Sequence, residues 1–159
     1  IARHHSPILI RPNDLPKFPI QSQYPISLEA QREWKPINQL LLKANVLKPI
    51  HFLFNIPILP VKKLDRCFRL VQDLGLINLV LLPINTVVPN PYTLLSCIPP
   101  NTPHFSVLDL KDALFTLPLH PSCQDFFPFT WTDHNILSDH QLTWTVLPQG
   151  FRDSPHFFG

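Results

Sequence analysis

The sequence predicts an α+β fold with an antiparallel sheet. Short apolar runs rich in Phe, Leu, Thr, Val and Trp read as strands, a few segments carry helix start signals, and the two do not alternate regularly along the chain. A hydrophobic content of 45% with only 15% charged residues gives these elements a core to bury. The 159 residues include 20 Pro but only 3 Gly and no Met. Collagen-like and Gly/Ser-linker classes need Gly, and a disordered polyampholyte needs more charge and fewer large apolar residues, so all three are excluded.

Residues 1–26 are Pro-rich and irregular, which predicts an extended arm lying on the rest of the protein. Ser27 is a good N-cap with Glu29 in the first turn, and Ile37, Leu40, Leu41 and Ala44 fall at helical spacing, so a helix is expected to about Val46. Pro36 interrupts it, and the helix is expected to begin afresh there, with Pro in its first turn. Ile56–Val61 and Phe68–Asp73 flank Lys62-Lys63-Leu64-Asp65-Arg66, the pattern of a β-hairpin with a basic tip. A short helix follows Pro91 over Tyr92–Ile98. Phe105–Leu110, Thr116–His120, Phe126–Trp131 and Gln141–Leu147 read as strands. Pro118 and Pro128, lying within two of them, demand edge positions or irregularity. Ser154-Pro155 looks like the cap and first turn of a last helix.

Charge divides along the chain. Residues 1–69 hold 11 Lys/Arg against 4 Asp/Glu, and residues 70–159 hold 2 against 7. The basic stretch suits phosphate, and the acidic remainder suits a divalent cation. Leu74–Leu108 is a charge-free stretch of 35 residues, but six prolines break it, so no membrane-spanning helix is expected. No basic-then-apolar leader opens the chain, and an intracellular, cytoplasmic location is expected. Cys67, Cys97 and Cys123 are odd in number and far apart, which suits free thiols; His120 with Cys123 is the nearest approach to a metal-ligand pair. The chain begins at Ile1 without Met and stops at Phe157-Phe158-Gly159 inside an apolar run, so both ends are expected to be cut.

Val107-Leu108-Asp109-Leu110-Lys111-Asp112-Ala113 places a carboxylate after an apolar run with a second three residues on, an oxygen ligand of the kind a hard cation takes. Before it come Val71-Gln72-Asp73-Leu74 and Val88-Pro89-Asn90-Pro91-Tyr92-Thr93-Leu94-Leu95. After it come Gln141-Leu142-Thr143-Trp144-Thr145 and Leu147-Pro148-Gln149-Gly150-Phe151. In this order the five motifs resemble the fingers and palm of retroviral reverse transcriptase, of the gammaretrovirus-like kind found in endogenous retroviral pol genes. The resemblance covers roughly Gln21 to Gly159.

The resemblance implies a right-hand polymerase fold, truncated, with an antiparallel palm sheet: an arm over 1–26, a fingers-like region over 27–103 and a partial palm over 104–159. It implies RNA-directed DNA polymerase activity in the parent protein, on an RNA or DNA template-primer with dNTP, by phosphoryl transfer between two Mg²⁺ ions. The remainder of the pol polyprotein, with the rest of the palm, thumb, connection and RNase H, is the implied partner. Asp109 matches the family's first metal-binding and catalytic aspartate. Lys63 and Arg69 match finger residues that hold the triphosphate, and the backbone N–H groups of Asp112 and Ala113 would face the phosphates. Gln149 matches the residue lying against the incoming nucleotide, and Lys62 is a candidate for a nucleic-acid phosphate contact.

Departures matter too. Leu114 stands where the family has an aromatic that blocks the ribonucleotide 2′-hydroxyl, so this nucleotide-site position is expected to gate less well. Gly75 and Leu76 replace a usual Arg and Glu. No Asp-Asp pair occurs in the chain, so the family's Tyr-x-Asp-Asp hairpin is absent and the fragment is expected to be inactive alone. The alternatives are a non-catalytic nucleic-acid-binding remnant and a translated relic without function.

Overall fold

In the computed structural model, which describes residues 6–14, 17–62, 68–84, 90–110, 112–133 and 138–158, helix α1 spans Leu28–Lys43. Ser27 caps it, its Oγ accepting from the Ala30 N–H at 3.3 Å, with Glu29 at the positive end and Lys43 at the negative end. The helix runs straight through Pro36 instead of restarting. Proline removes the N–H that the Arg32 carbonyl would accept, but Arg32 and Pro36 both lie on the exposed side of the helix, where the lost bond costs least. The buried stripe is Ala30, Gln31, Trp34 and Asn38, whereas Ile37 and Leu40 face outward, contrary to the expected apolar face. Asn45 closes the helix in the left-handed region at φ 55°. There its N–H donates to the Leu42 carbonyl and that of Val46 donates to the Leu41 carbonyl, an ending that Asn tolerates better than most residues.

The chain then enters strand β1, Leu47–Pro49, and the hairpin of β2, Ile58–Lys62, with β3, Phe68–Gln72. β2 and β3 pair antiparallel from Ile58 opposite Gln72 to Lys62 opposite Phe68, as the flanking apolar runs predict. Helix α2 covers Gly75–Val80, apolar but for Asn78, so no periodicity announces it. Only Ile77 within it is fully buried, with Leu74 and Leu81 buried at its ends. Helix α3, Pro91–Ser96, begins at Asn90, whose side chain accepts from the Tyr92 N–H at 2.9 Å.

Strands β4, Phe129–Asp133, and β5, Ser138–Trp144, form a second hairpin, and β1 adds antiparallel on its other side, giving the order β1-β5-β4. β1 from the first half of the chain therefore shares a sheet with strands from the last third. Both hairpin strands are shifted from expectation: Phe126 ends a 3-10 turn over Pro121–Phe126, and β5 ends at Trp144. Pro128 immediately precedes the edge strand β4, and Pro118 makes a single bridge to Val146, the irregular placements their missing N–H groups require. Thr116–His120 is not a continuous strand, because Ala113–Thr116 turns as a 3-10 helix. Phe105–Leu110 is not a strand either. Its residues are all exposed and pair with nothing among the described residues, and strand propensity without a partner ladder forms no strand. Helix α4 takes Ser154–Phe158.

The core joins both sheets to α1 and α2 through Trp34, Leu47, Ile56, Ile58, Ile77, Leu81, Phe127, Phe129 and Val146. The arm lies on it. Ile8 and Ile10 are buried with Leu9 exposed between them, the alternation of an extended strand, and Ile8 bridges Leu119. Phe18 stacks on Phe54 at 4.6 Å. Gln23 uses its side-chain amide like a piece of strand, donating to the Ile58 carbonyl at 2.7 Å and accepting from the Ile58 N–H at 3.1 Å. No helix among the described residues is long and apolar enough to cross a membrane.

Candidate functional site

The basic hairpin presents its cations on two faces. Lys62 lies opposite Phe68 and Val61 opposite Arg69. Side chains alternate along a strand, so Lys62 and Arg69 leave opposite faces of the ribbon. Lys62 holds its Nζ 5.6 Å from the Phe68 ring centre, within cation–π range. Both residues are exposed, and neither has an ion-pair partner among the described residues. Lys63 and the tip at 63–67 lie outside the described residues.

Asp109 sits in the exposed 103–110 segment. Asp112 adopts φ 55° and ψ 30°, a left-handed conformation that Asp tolerates, and its carbonyl accepts from the Phe115 N–H at 3.0 Å to start the 3-10 turn. Ala113 and Leu114 in that turn are half-buried, and Leu114 packs against the core. Gln149 occupies the turn before Gly150, which at φ 92° needs glycine. It lines a small cleft with Leu70, Gln72, Phe115, Trp144 and Pro148. Gln149, the turn holding Ala113 and Leu114, and strand β3 thus converge. Arg69 leaves β3 on the face away from this cleft, and Asp109 does not line it.

Among the described residues, no three His, Cys, Asp or Glu side chains come together in a metal-binding group. A magnesium pair takes several carboxylate oxygens held on rigid elements. Asp109, exposed and in no such group among the described residues, does not make that set. His120 and Cys123 have structural work instead: His120 Nδ1 accepts from the Ser122 N–H at 3.3 Å, capping the second 3-10 turn. Cys123 clamps the arm, its Sγ donating to the Ile10 carbonyl at 3.2 Å and accepting from the Ile10 N–H at 3.1 Å.

Two polar contacts have roles that the sequence did not assign, although Gln72 and Asp73 stand in one of the five motifs. Gln72 is buried and donates to the Ile56 and Phe127 carbonyls, tying β3 to the segments entering β2 and β4. The sequence shows it as an amide inside a short apolar strand and as a member of the Val71-Gln72-Asp73-Leu74 motif, with no sign of its partners. Tyr24 donates to Asp73 Oδ2 at 2.8 Å, and Asp73 Oδ1 accepts from the Gly75 N–H at the start of α2. The hydrogen bond to Asp73, with smaller contributions from desolvation and the carboxylate's charge, holds the Tyr24 phenol above its ordinary value.

No protein-family model matches the chain. Over 137 residues, 86% of its length, it is 48% identical to the Gag-Pol polyprotein of avian reticuloendotheliosis virus and 50% identical to that of woolly monkey sarcoma virus. Its relatives are retroviral Gag-Pol polyproteins. The chain spans only 12% and 8% of these two. Among solved structures it is similar to the prototype foamy virus protease-reverse transcriptase. The selenomethionine-labelled CSH mutant matches with a TM-score of 0.80 and 31% identity, covering 99% of this chain and 20% of that one; the native protein gives 0.79. The mixed helix and antiparallel-sheet arrangement is therefore shared with a retroviral protease-reverse transcriptase. Two of the five sequence motifs meet in the core, where the Trp144 indole donates to Gln72.

Proposed function

We propose that the chain is the fingers and first palm portion of an RNA-directed DNA polymerase, a segment of an endogenous retroviral pol polyprotein. In the parent it serves template-directed synthesis on RNA or DNA from dNTP. The observation that carries this reading is the likeness to the foamy virus protease-reverse transcriptase over 99% of the chain at 31% identity. The relatives at about half identity support it from the sequence side. In this reading 1–26 is the arm, 27–103 the fingers-like region and 104–159 the partial palm. Asp109 is one metal ligand among several that the parent assembles, Gln149 and the 112–114 turn form the nucleotide floor, and Lys63 and Arg69 of the basic hairpin are the triphosphate contacts, Arg69 lying on the face of β3 opposite the Gln149 cleft. Phe105, Val107, Leu108 and Leu110, all at least 64% exposed, are the face that the remainder of pol covers.

This segment alone does not polymerise. In a Mg²⁺-dependent primer-extension assay the isolated chain gives no incorporation, and extension abolished by Asp109→Asn would overturn that statement. A second reading, nucleic-acid binding without chemistry, is favoured by the exposed Lys62 and Arg69, which form no ion pair among the described residues. Binding of a primer–template should then weaken as salt rises, and Lys62→Ala with Arg69→Ala should lower both affinity and salt slope while Asp109→Asn leaves them unchanged. Affinity that does not change with salt excludes this second reading.

A further inference from the structure

The backbone around Gln149 is held from both sides. Before it, the Leu147 N–H donates to the Leu117 carbonyl at 2.9 Å. The Phe151 N–H donates back to the Pro148 carbonyl at 3.4 Å, closing a turn with Gln149 and Gly150 in its middle. Gly150 at φ 92° gives that turn the backbone of a type II turn. After it, the turn meets one residue of α2. Asn78 Nδ2 donates to the Gly150 carbonyl at 3.3 Å, and Asn78 Oδ1 accepts from the Arg152 N–H at 3.2 Å. The Asn78 carbonyl also accepts from Arg152 Nη1 at 2.7 Å.

Asn78 is the one polar side chain of α2, and asparagine is a weak helix former, so the helix itself gives no reason for it. Its amide carries a donor and an acceptor side by side, which is what spanning a carbonyl and the second N–H beyond it requires. Glycine visits positive and negative φ about equally, so Gly150 permits this turn without enforcing it. The restraint has to come from a contact, and the contact on this side is the Asn78 amide. We propose that Asn78 is the positioning residue for Gln149: its grip on Gly150 and Arg152 fixes the turn so that Gln149 stays on the cleft it lines with Phe115 and Trp144. The role rests on the reading of Gln149 as nucleotide floor. A floor ordered before its ligand arrives spares the complex the cost of ordering it, which is why such a residue is held from behind.

The test is NMR on the whole 159-residue chain, first without ligand. The Gln149 side-chain amide should show NOEs to the Phe115 and Trp144 rings. Asn78→Ala removes both side-chain bonds while favouring the helix, and should lose those NOEs with the Trp144 indole N–H signal unmoved. Asn78→Asp keeps the acceptor for the Arg152 N–H but loses the donor to Gly150, and should keep the NOEs only in part. Arg152→Ala is the control. It weakens the end of α2 but leaves both Asn78 side-chain bonds in place, so the NOEs should persist; a contact that only supported the fold would move the two alanine variants alike. Loss of the NOEs in both, their survival in Asn78→Ala, their absence from the parent chain, or unfolding of Asn78→Ala overturns the proposal. A dATP titration with Mg²⁺, followed at Gln149, then separates this role from the reading beneath it. Asn78→Ala should weaken binding about threefold to tenfold, the effect of one ordinary hydrogen bond, and unchanged affinity overturns the positioning role. If the parent chain does not respond to dATP, the nucleotide-floor reading itself falls, and the role with it, whatever the NOEs show.

Discussion

The indole Nε1 of Trp144 donates to Gln72 Oε1 at 2.9 Å in the buried core, joining the last residue of β5 to the last residue of β3. The two strands belong to different sheets, so this bond, with that of Gln72 to the Phe127 carbonyl, ties the basic hairpin to the three-stranded sheet, and both side chains line the cleft beside Gln149. Gln72→Leu strands the Trp144 indole and the Ile56 and Phe127 carbonyls together and should destabilise the chain by about 3 kcal/mol. Trp144→Phe in the same background should cost less than it does alone, since the indole has already lost its partner. A denaturant double-mutant cycle reads both numbers.

Pro36 interrupts the hydrogen-bond ladder of α1 on its solvent face, where nothing else depends on its ring. Pro36→Ala should therefore stabilise the chain by about 1–2 kcal/mol, restoring one helical bond while giving back some unfolded-state freedom. Chemical denaturation at equal m-value checks it.

Arg152 caps the end of α2, donating through Nη1 to the Asn78 carbonyl at 2.7 Å and through Nη2 to the Leu81 carbonyl at 3.2 Å. Its Nε also meets Asp153 Oδ1 at 3.2 Å, and that carboxylate is largely buried. Arg152→Ala leaves a buried carboxylate without its cation, at a cost of about 2 kcal/mol once the partial exposure of the arginine is discounted. Lysine, a point charge without the fork, should recover less than half of the loss. Thermal unfolding of the two variants separates the charge from the geometry.

Tyr24 ionises late. A phenol whose folded-state value lies above its unfolded value holds its proton better in the native chain, so its contribution to stability is complete below about pH 10 and disappears as pH rises through the folded value. In an alkaline absorbance titration, subtraction of Tyr24→Phe from the parent should give a midpoint above 10, and Asp73→Asn should lower it. A Tyr24 midpoint at or below 10 contradicts the Tyr24–Asp73 bond.

What was legible in the sequence followed from local chemistry. Ser27 and Asn90 announce their helices because a cap needs only its own oxygen and the next turn's N–H groups. The β2–β3 hairpin shows because two apolar runs flank a polar link. Residues whose state is set by distant neighbours did not show. Gly75–Val80 is apolar but for Asn78, so its helix has no period to read, and Asp73 at its start, Arg152 at its end and the core decide it. Phe105–Leu110 has every propensity of a strand but no ladder to join. At the candidate site, sequence order grouped Asp109, Asp112 and Gln149 by likeness, whereas the fold brings Gln149 to the 113–116 turn and leaves Asp109 on an exposed segment. Asn78 stayed hidden because an amide on a helix looks like surface until its neighbours are known.

β1 pairs Leu47 with Trp144, residues separated by roughly a hundred positions. During synthesis the β2–β3 hairpin can close within its own short loop, but β1 must wait for β5 to leave the ribosome, on the order of 5–20 s later at about 5–20 residues per second. For that interval Leu47 and the apolar strands around it lack the sheet that finally shelters them. The nascent chain is thus most exposed to self-association, and most in need of a chaperone, between the emergence of α1 and that of Trp144.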